Sequence, residues 1–173
     1  MQELANNGYY VVLGLGASGL SAVNYLHKLG VNVLVMDSNT APKLADDLPS
    51  GVMTHFGGFD GDKLAKATKI IISPGINPDN PAIDHTKVAG VPIVSDIQLF
   101  ADECHVRKID IVAITGSNAK STVTTLVGQM ASDAGLSVGV GGNIGIPALS
   151  LLEADIDAVS YTHLRAHETS LHL

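Results

Sequence analysis

The chain has 173 residues, a formal net charge of −7, one cysteine, 46% hydrophobic and 4% aromatic residues, a length and balance that fit an α/β chain of one sizeable domain, or of one domain plus part of a second, and exclude a disordered one. The acidic balance, without any run of Lys or Arg, excludes a basic face for nucleic acid or an anionic membrane surface. The single Cys104 excludes an internal disulfide, no apolar run reaches the roughly 18 to 20 residues that span a bilayer, and no basic segment precedes an apolar stretch at the N-terminus, so a cytoplasmic location is expected.

In chain order, residues 9–13 form an apolar run that enters glycines. Leu20, Val23, Leu26 and Leu29 then recur at helical spacing until Gly30 stops the helix. Residues 31–36 are a β-branched run ending at Asp37, which completes a βαβ unit with parallel strands. Residues 39–49 read as a polar connection. Short strands are predicted at 52–56, 69–72 and 92–94, with helices near 62–67, over 81–89 and from Asp96 to about Glu103. Residues 104–108 read as a linker, after which the pattern starts afresh: strand 109–114, helix 120–134, strand 137–140 and a helical stretch 147–152. The boundaries implied are a Rossmann-like parallel-sheet domain over 1–105 and the truncated start of a P-loop-type α/β domain over 106–159, whose strands are too few for a normal doubly wound sheet and whose edges and apolar faces are expected to be exposed.

Two glycine loops carry the chemistry. Gly14-Leu15-Gly16-Ala17-Ser18-Gly19 lies between a strand and a helix, with Asp37 ending the next strand. Such a turn lets backbone N–H groups approach a diphosphate, and by itself fits either NAD(P) or another nucleoside diphosphate. Thr115-Gly116-Ser117-Asn118-Ala119-Lys120-Ser121-Thr122 stands at a second strand-to-helix junction. Lys120 fits the phosphate-binding lysine and Ser121 the Mg²⁺-ligating hydroxyl of a phosphate loop, although Ile114 and Ala119 replace the two glycines of the generic pattern. From these residues alone, an NAD(P)-dependent oxidoreductase and a non-catalytic nucleotide-binding module both remain open.

The second loop, together with Ser73-Pro74-Gly75-Ile76, Asp96-Ile97-Gln98-Leu99-Phe100 and Gly141-Gly142-Asn143-Ile144-Gly145-Ile146-Pro147, resembles the Mur ligases over about residues 8–159, and most closely those members that join D-glutamate to UDP-N-acetylmuramoyl-L-alanine. The resemblance implies an ATP-dependent, ADP-forming ligase of peptidoglycan synthesis that works as a monomer with Mg²⁺. It implies that Gly14, Gly16, Ala17, Ser18 and Gly19 face the diphosphate of the UDP-sugar, that Asp37 and Ser38 lie near the uridine, that Ser73, Pro74 and Gly75 line the same cleft, and that Asn143 reaches the muramoyl group. It implies that Thr115 to Thr122 hold ATP, with Lys120 catalytic on the phosphates and Ser121 on Mg²⁺. Family members often carry Arg where this chain has Asn39, and Gly where it has Ala119. A Cβ at 119 is expected to weaken ATP binding by strain or by crowding the phosphate.

The family pattern continues past Val159 with an acidic Mg²⁺ ligand at the position of Thr162. Residues 160–169 resemble a translated sequencing adapter instead, so 160–173 is read as a non-family tail and the chain alone is not expected to turn over. His163 and His167, at i, i+4 spacing, lack a convincing third ligand for a metal.

Overall fold

A computed structural model describes residues 8–142 and 145–162 of the chain. The described chain divides into two compact units, 1–99 and 100–173.

The first unit alternates strands and helices: β1 (Tyr10–Leu13), α1 (Ala17–Lys28), β2 (Val33–Asp37), β3 (Met53–Phe56), α2 (Gly61–Ala65), β4 (Lys69–Ile72), α3 (Pro81–Ala89) and β5 (Ile93–Ser95). The polar connection after β2 contains a single 3₁₀ turn at Ala45–Asp47. All five strands are parallel in the order β3-β2-β1-β4-β5. The chain therefore reverses its direction of sheet growth between β1 and β4, the crevice where ligands bind in open parallel sheets. Parallel strands covered on both faces need continuous apolar runs, and β1, β2 and β4 supply them. Val11, Leu13, Leu34, Met36 and Ile70 pack with Leu64 of α2 and Ile83 of α3. Val12, Val35 and Ile71 alternate to the opposite face and are fully buried, as are Ala22 and Val23 of α1, which packs on β1 and β2.

The second unit follows α4 (Asp96–Arg107) with β6 (Asp110–Ile114), α5 (Lys120–Asp133), β7 (Val138–Gly142), the short α6 (Ala148–Leu151) and β8 (Ala158–Thr162). Its parallel sheet has the order β6-β8-β7. Two features depart from the sequence reading. Residues 104–107 are helix, not linker: Phe100 and Cys104, one turn apart on α4, are both buried, and Arg107 Nε pairs with Glu103 Oε1 at 2.6 Å. The sheet also continues past residue 159, since Ser160, Tyr161 and Thr162 form the end of its central strand. Ser160 is buried because its hydroxyl donates to the Thr124 carbonyl of α5 at 2.9 Å, and the Tyr161 ring lies 5.8 Å from that of Phe100. His163, His167 and the rest of residues 163–173 lie outside the described residues.

This second sheet is thinly covered. Strand β6 is an edge strand exposed along most of its length, with Ile111 and Val112 open on successive, opposite-facing positions. Helix α5 buries only Thr124 and Gly128, while Val123, Leu126 and Met130 are exposed.

Candidate functional site

The residues singled out from the sequence fall into two separate groups, one at the carboxyl edge of each sheet. In the first unit, Gly14 continues from β1 with φ +90°. A Cβ there would press on Ile76 and on Ser73, which follows β4. A Cβ on Gly19 would overlap the Gly14 carbonyl oxygen, so Gly19 permits α1 to close onto the turn. Gly16 differs from both: no protein atom lies within 4 Å of where its Cβ would stand. The space over Gly16 is open for a ligand, whereas Gly14 and Gly19 are required by the fold itself.

Helix N-termini leave N–H groups without intrahelical partners, and α2, α3 and α4 satisfy theirs with a side chain. Asp60 caps α2, Asn80 Oδ1 accepts from Ala82 N at the start of α3, and Ser95 Oγ accepts from Gln98 N at the start of α4. No side chain caps α1, which starts after Gly16, α5, which starts after Ala119, or the four-residue α6, which starts after Pro147. Of these, α1 and α5 lie behind the glycine loops, and their first-turn amides with the helix dipole suit an anion.

The structure brings Asp37, Ser38, Ser73, Pro74 and Gly75 to the same edge as the Gly14-to-Gly19 turn, because β2 and β4 flank β1 in register: Leu13 stands opposite Met36 on one side and Ile72 on the other. Asp37 makes contacts that the sequence did not disclose. Its Oδ2 accepts from Leu15 N at 2.6 Å and its Oδ1 from Asn39 N at 2.8 Å. Its carbonyl accepts from Gly57 N at 2.9 Å and Gly58 N at 3.1 Å. Ser73 is buried and its Oγ donates to Gly14 O at 3.1 Å, while Pro74 and Gly75 are exposed. Asn39 side-chain Oδ1 accepts from Ala41 N at 3.0 Å. Leu15, Gly57 and Gly58 were not singled out beforehand; the glycine pair after β3 was the available signal.

In the second unit, Ile114 leads from β6 into the loop, Gly116 has φ +151°, and Ala119 sits at φ +60°, ψ 9°, the left-handed region. That is the conformation glycine adopts without penalty, which accounts for the difficulty expected of alanine here. Lys120 Nζ folds back to donate to Gly116 O at 2.7 Å and Ser117 O at 3.1 Å. Ser121 and Thr122 are exposed on the first turn of α5. Thr162 ends β8 in register with Ile114 and with Gly142, so its position adjoins the loop; it is buried and its hydroxyl has no partner among the described residues. Asn143 lies outside the described residues.

A Mg²⁺ ion seeks oxygen ligands, usually with one or two carboxylates beside nucleotide phosphates. Ser121 offers a neutral hydroxyl, whereas Asp110 and Asp157 lie at strand starts and Asp133 at the far end of α5. Among the described residues no group of three His, Cys, Asp or Glu side chains could hold a metal ion. The described residues therefore do not make a Mg²⁺ site by themselves. No helix among them is long and apolar enough to cross a membrane.

Comparison with known proteins agrees with this layout. Residues 8–95 match the family described as Mur ligase MurD-like, N-terminal domain. The chain is 59% identical over 150 residues to a UDP-N-acetylmuramoylalanine--D-glutamate ligase of Psychrobacter arcticus, an alignment covering 86% of this chain and 31% of that protein. It is 50% identical over 150 residues to the protein of the same name from Acinetobacter baylyi, covering 87% and 33%. The chain thus spans about a third of the length of the curated relatives it matches. Among solved structures, a murein peptide ligase of Psychrobacter arcticus superposes with TM-score 0.56 at 19% identity, covering 91% of this chain and 37% of that one. A UDP-N-acetylmuramate-alanine ligase of Thermotoga maritima does so with TM-score 0.53 at 21% identity, covering 89% and 36%. These two likenesses speak for the fold alone.

Proposed function

The chain belongs to the Mur ligase family, with a MurD-like N-terminal domain, and from that premise we propose that it supplies the UDP-sugar site and the phosphate loop of an ATP-dependent ligase that joins D-glutamate to UDP-N-acetylmuramoyl-L-alanine. The observation that carries this reading is the pair of uncapped helix N-termini, α1 and α5, each behind a glycine loop at the carboxyl edge of its own parallel sheet. Two anion sites on separate units suit two nucleotides, a UDP-sugar and ATP, better than one dinucleotide.

In this reading the turn from Gly14 to Gly19 holds the diphosphate, with Gly16 giving it close approach. Asp37 and Ser38 border the uridine, and Ser73, Pro74 and Gly75 line the cleft. Asn143 reaches the muramoyl group. Thr115 to Thr122 hold ATP, and Lys120 exchanges its carbonyl partners for phosphate oxygens during transfer to the substrate carboxylate, forming the acyl phosphate and ADP. The lysine neutralises charge and the loop fixes position; amide formation follows when the D-glutamate amine attacks. Mg²⁺ would supply charge neutralisation on the ATP phosphates, and the Ser121 hydroxyl would add one neutral ligand that makes no site by itself. A cytoplasmic monomer belongs to the same reading.

Calorimetric titration of the 173-residue chain with UDP-N-acetylmuramoyl-L-alanine, ATP and NADH tests it. Binding of the UDP-sugar without binding of NADH is expected. Binding of NADH alone would replace the reading with an oxidoreductase. No D-glutamate-dependent ATP hydrolysis is expected from these 173 residues, since those described include no group of three His, Cys, Asp or Glu side chains able to hold a metal ion.

A further inference from the structure

The Gly14–Leu15 peptide is held from both sides by side chains of the two neighbouring strands' ends. Its carbonyl oxygen accepts from Ser73 Oγ at 3.1 Å, beyond β4, and its N–H donates to Asp37 Oδ2 at 2.6 Å, at the end of β2. Gly14, which precedes this peptide, has φ +90°, and a glycine in a tight turn allows the following peptide to rotate at little steric cost. Rotation by half a turn would exchange the sides on which the carbonyl and the N–H point. A flipped peptide would turn its carbonyl oxygen toward the Asp37 carboxylate, which repels it, and would take the acceptor away from the Ser73 hydroxyl.

We propose that Asp37 and Ser73 are positioning residues that lock the Gly14–Leu15 peptide, so that the path of the turn, with the open face at Gly16 and the N–H groups that follow it, is set before a diphosphate arrives. The proposal rests on the reading that the first unit binds a UDP-sugar, and it revises the part these two residues play there. The Asp37 carboxylate is engaged at both oxygens by main-chain donors, Leu15 N and Asn39 N, and its own carbonyl binds Gly57 N and Gly58 N. One residue thereby ties together the turn after β1 and the loops after β2 and β3. Ser73 completes the lock from the opposite side, and its hydroxyl is buried beside Gly14 and Gly19. A direct contact between Asp37 and the phosphates would set like charges together; a contact with the uncharged ribose would not, so the experiment must separate positioning from ribose binding.

The full 173-residue chain is titrated with UDP and with uridine, and the ratio of the two dissociation constants reports what the diphosphate contributes. In Ser73→Ala, UDP binding is expected to weaken about tenfold while uridine binding stays within about twofold, the scale of one lost buried hydrogen bond; Asp37→Asn, beside the uridine, is expected to weaken both ligands, and UDP about fivefold more than uridine. Equal weakening of uridine and UDP in Asp37→Asn would mean a direct ribose or base contact and would overturn the proposal, as would unchanged UDP binding in Ser73→Ala. The amide proton of Leu15 is a second readout that needs no ligand: its chemical shift should lie downfield in the wild type and move upfield in both variants. An unmoved Leu15 resonance in Ser73→Ala overturns the lock. If the wild type binds no UDP while the Leu15 shifts behave as expected, the UDP reading fails and the lock stands.

Discussion

Lys120 Nζ donates to the carbonyl oxygen of Gly116 at 2.7 Å, so the cation of the second glycine loop closes that loop upon itself. A phosphate chain must take the lysine away from Gly116 and Ser117, and the ammonium then moves from neutral carbonyls to charged oxygens, a stronger hydrogen-bond class. Lys120→Met is expected to raise the ATP dissociation constant at least about tenfold, the scale of one charge-assisted bond, with little change in melting temperature because the side chain is not in the core. Titration of ATP against both proteins checks this; an unchanged constant would place the nucleotide elsewhere.

Ala119 holds φ +60° just ahead of Lys120. An L-residue other than Gly, Asn or Asp in that region costs about 1–2 kcal/mol. Ala119→Gly removes the strain but gains unfolded-state entropy, so stability is expected to rise by about 1 kcal/mol or less, and ATP affinity to increase as the Cβ leaves the loop. Thermal unfolding and ATP titration decide it. Lower stability together with unmoved affinity would count against any strain at this position.

Gly16 and Gly19 lie in one turn yet answer to different demands. Gly16→Ala meets no protein atom and is expected to fold normally while binding UDP more weakly. Gly19→Ala drives a Cβ into the Gly14 carbonyl oxygen and should cost about 1–3 kcal/mol or more of stability through overpacking. Circular dichroism melts paired with UDP titration separate the two: equal melting temperatures for both variants would contradict the contrast.

Burial pushes the Cys104 thiol up from 9.0 to about 11, with Arg107 opposing and Glu103 adding to the shift. A buried neutral thiol is a poor nucleophile. At pH 8 a disulfide reagent should leave it unmodified in the native chain and react fully after denaturation in urea. The sign of the linked pH effect follows: above pH 9 the unfolded thiol ionises while the folded one keeps its proton, so Cys104 makes stability fall between pH 9 and about 11 and contributes no slope below. Rapid native-state labelling at pH 8 would show that α4 opens readily.

Strand β6 is exposed where β1 is buried throughout Val11, Val12 and Leu13. Local stability follows burial, so amides of Asp110–Ile114 should exchange with solvent well before those of β1. Exchange as slow in β6 as in β1 would mean that its edge and faces are covered in solution.

Much of the first unit was legible because its signals are local. Leu20, Val23 and Leu26 recur at helical spacing, Gly30 stops the helix, and the β-branched runs around Val12, Val35 and Ile71 mark strands buried on both faces. The extension of α4 to Arg107 was not legible because the strand pattern that starts afresh at Ile109 marks 104–108 as a linker, whereas Cys104 follows Phe100 by one turn into the core. Strand β8 past Val159 was not legible because residues 160–169 resemble a translated adapter, whereas Ser160 is buried in the strand with its hydroxyl on the carbonyl of Thr124, 36 residues earlier.

By itself the sequence determined two glycine loops at strand-to-helix junctions and a parallel α/β architecture, since each follows from spacing within about a dozen residues. The tertiary structure alone decided that Asp37 and Ser73 act on one peptide, that Gly16 faces open space while Gly19 is packed, and that α1 and α5 lack the side-chain caps which α2, α3 and α4 carry. Those relations depend on the parallel register of β2, β1 and β4 and on which side chains reach each helix start. Partners 22 and 59 residues apart meet only after the sheet has formed, and no local pattern encodes that meeting.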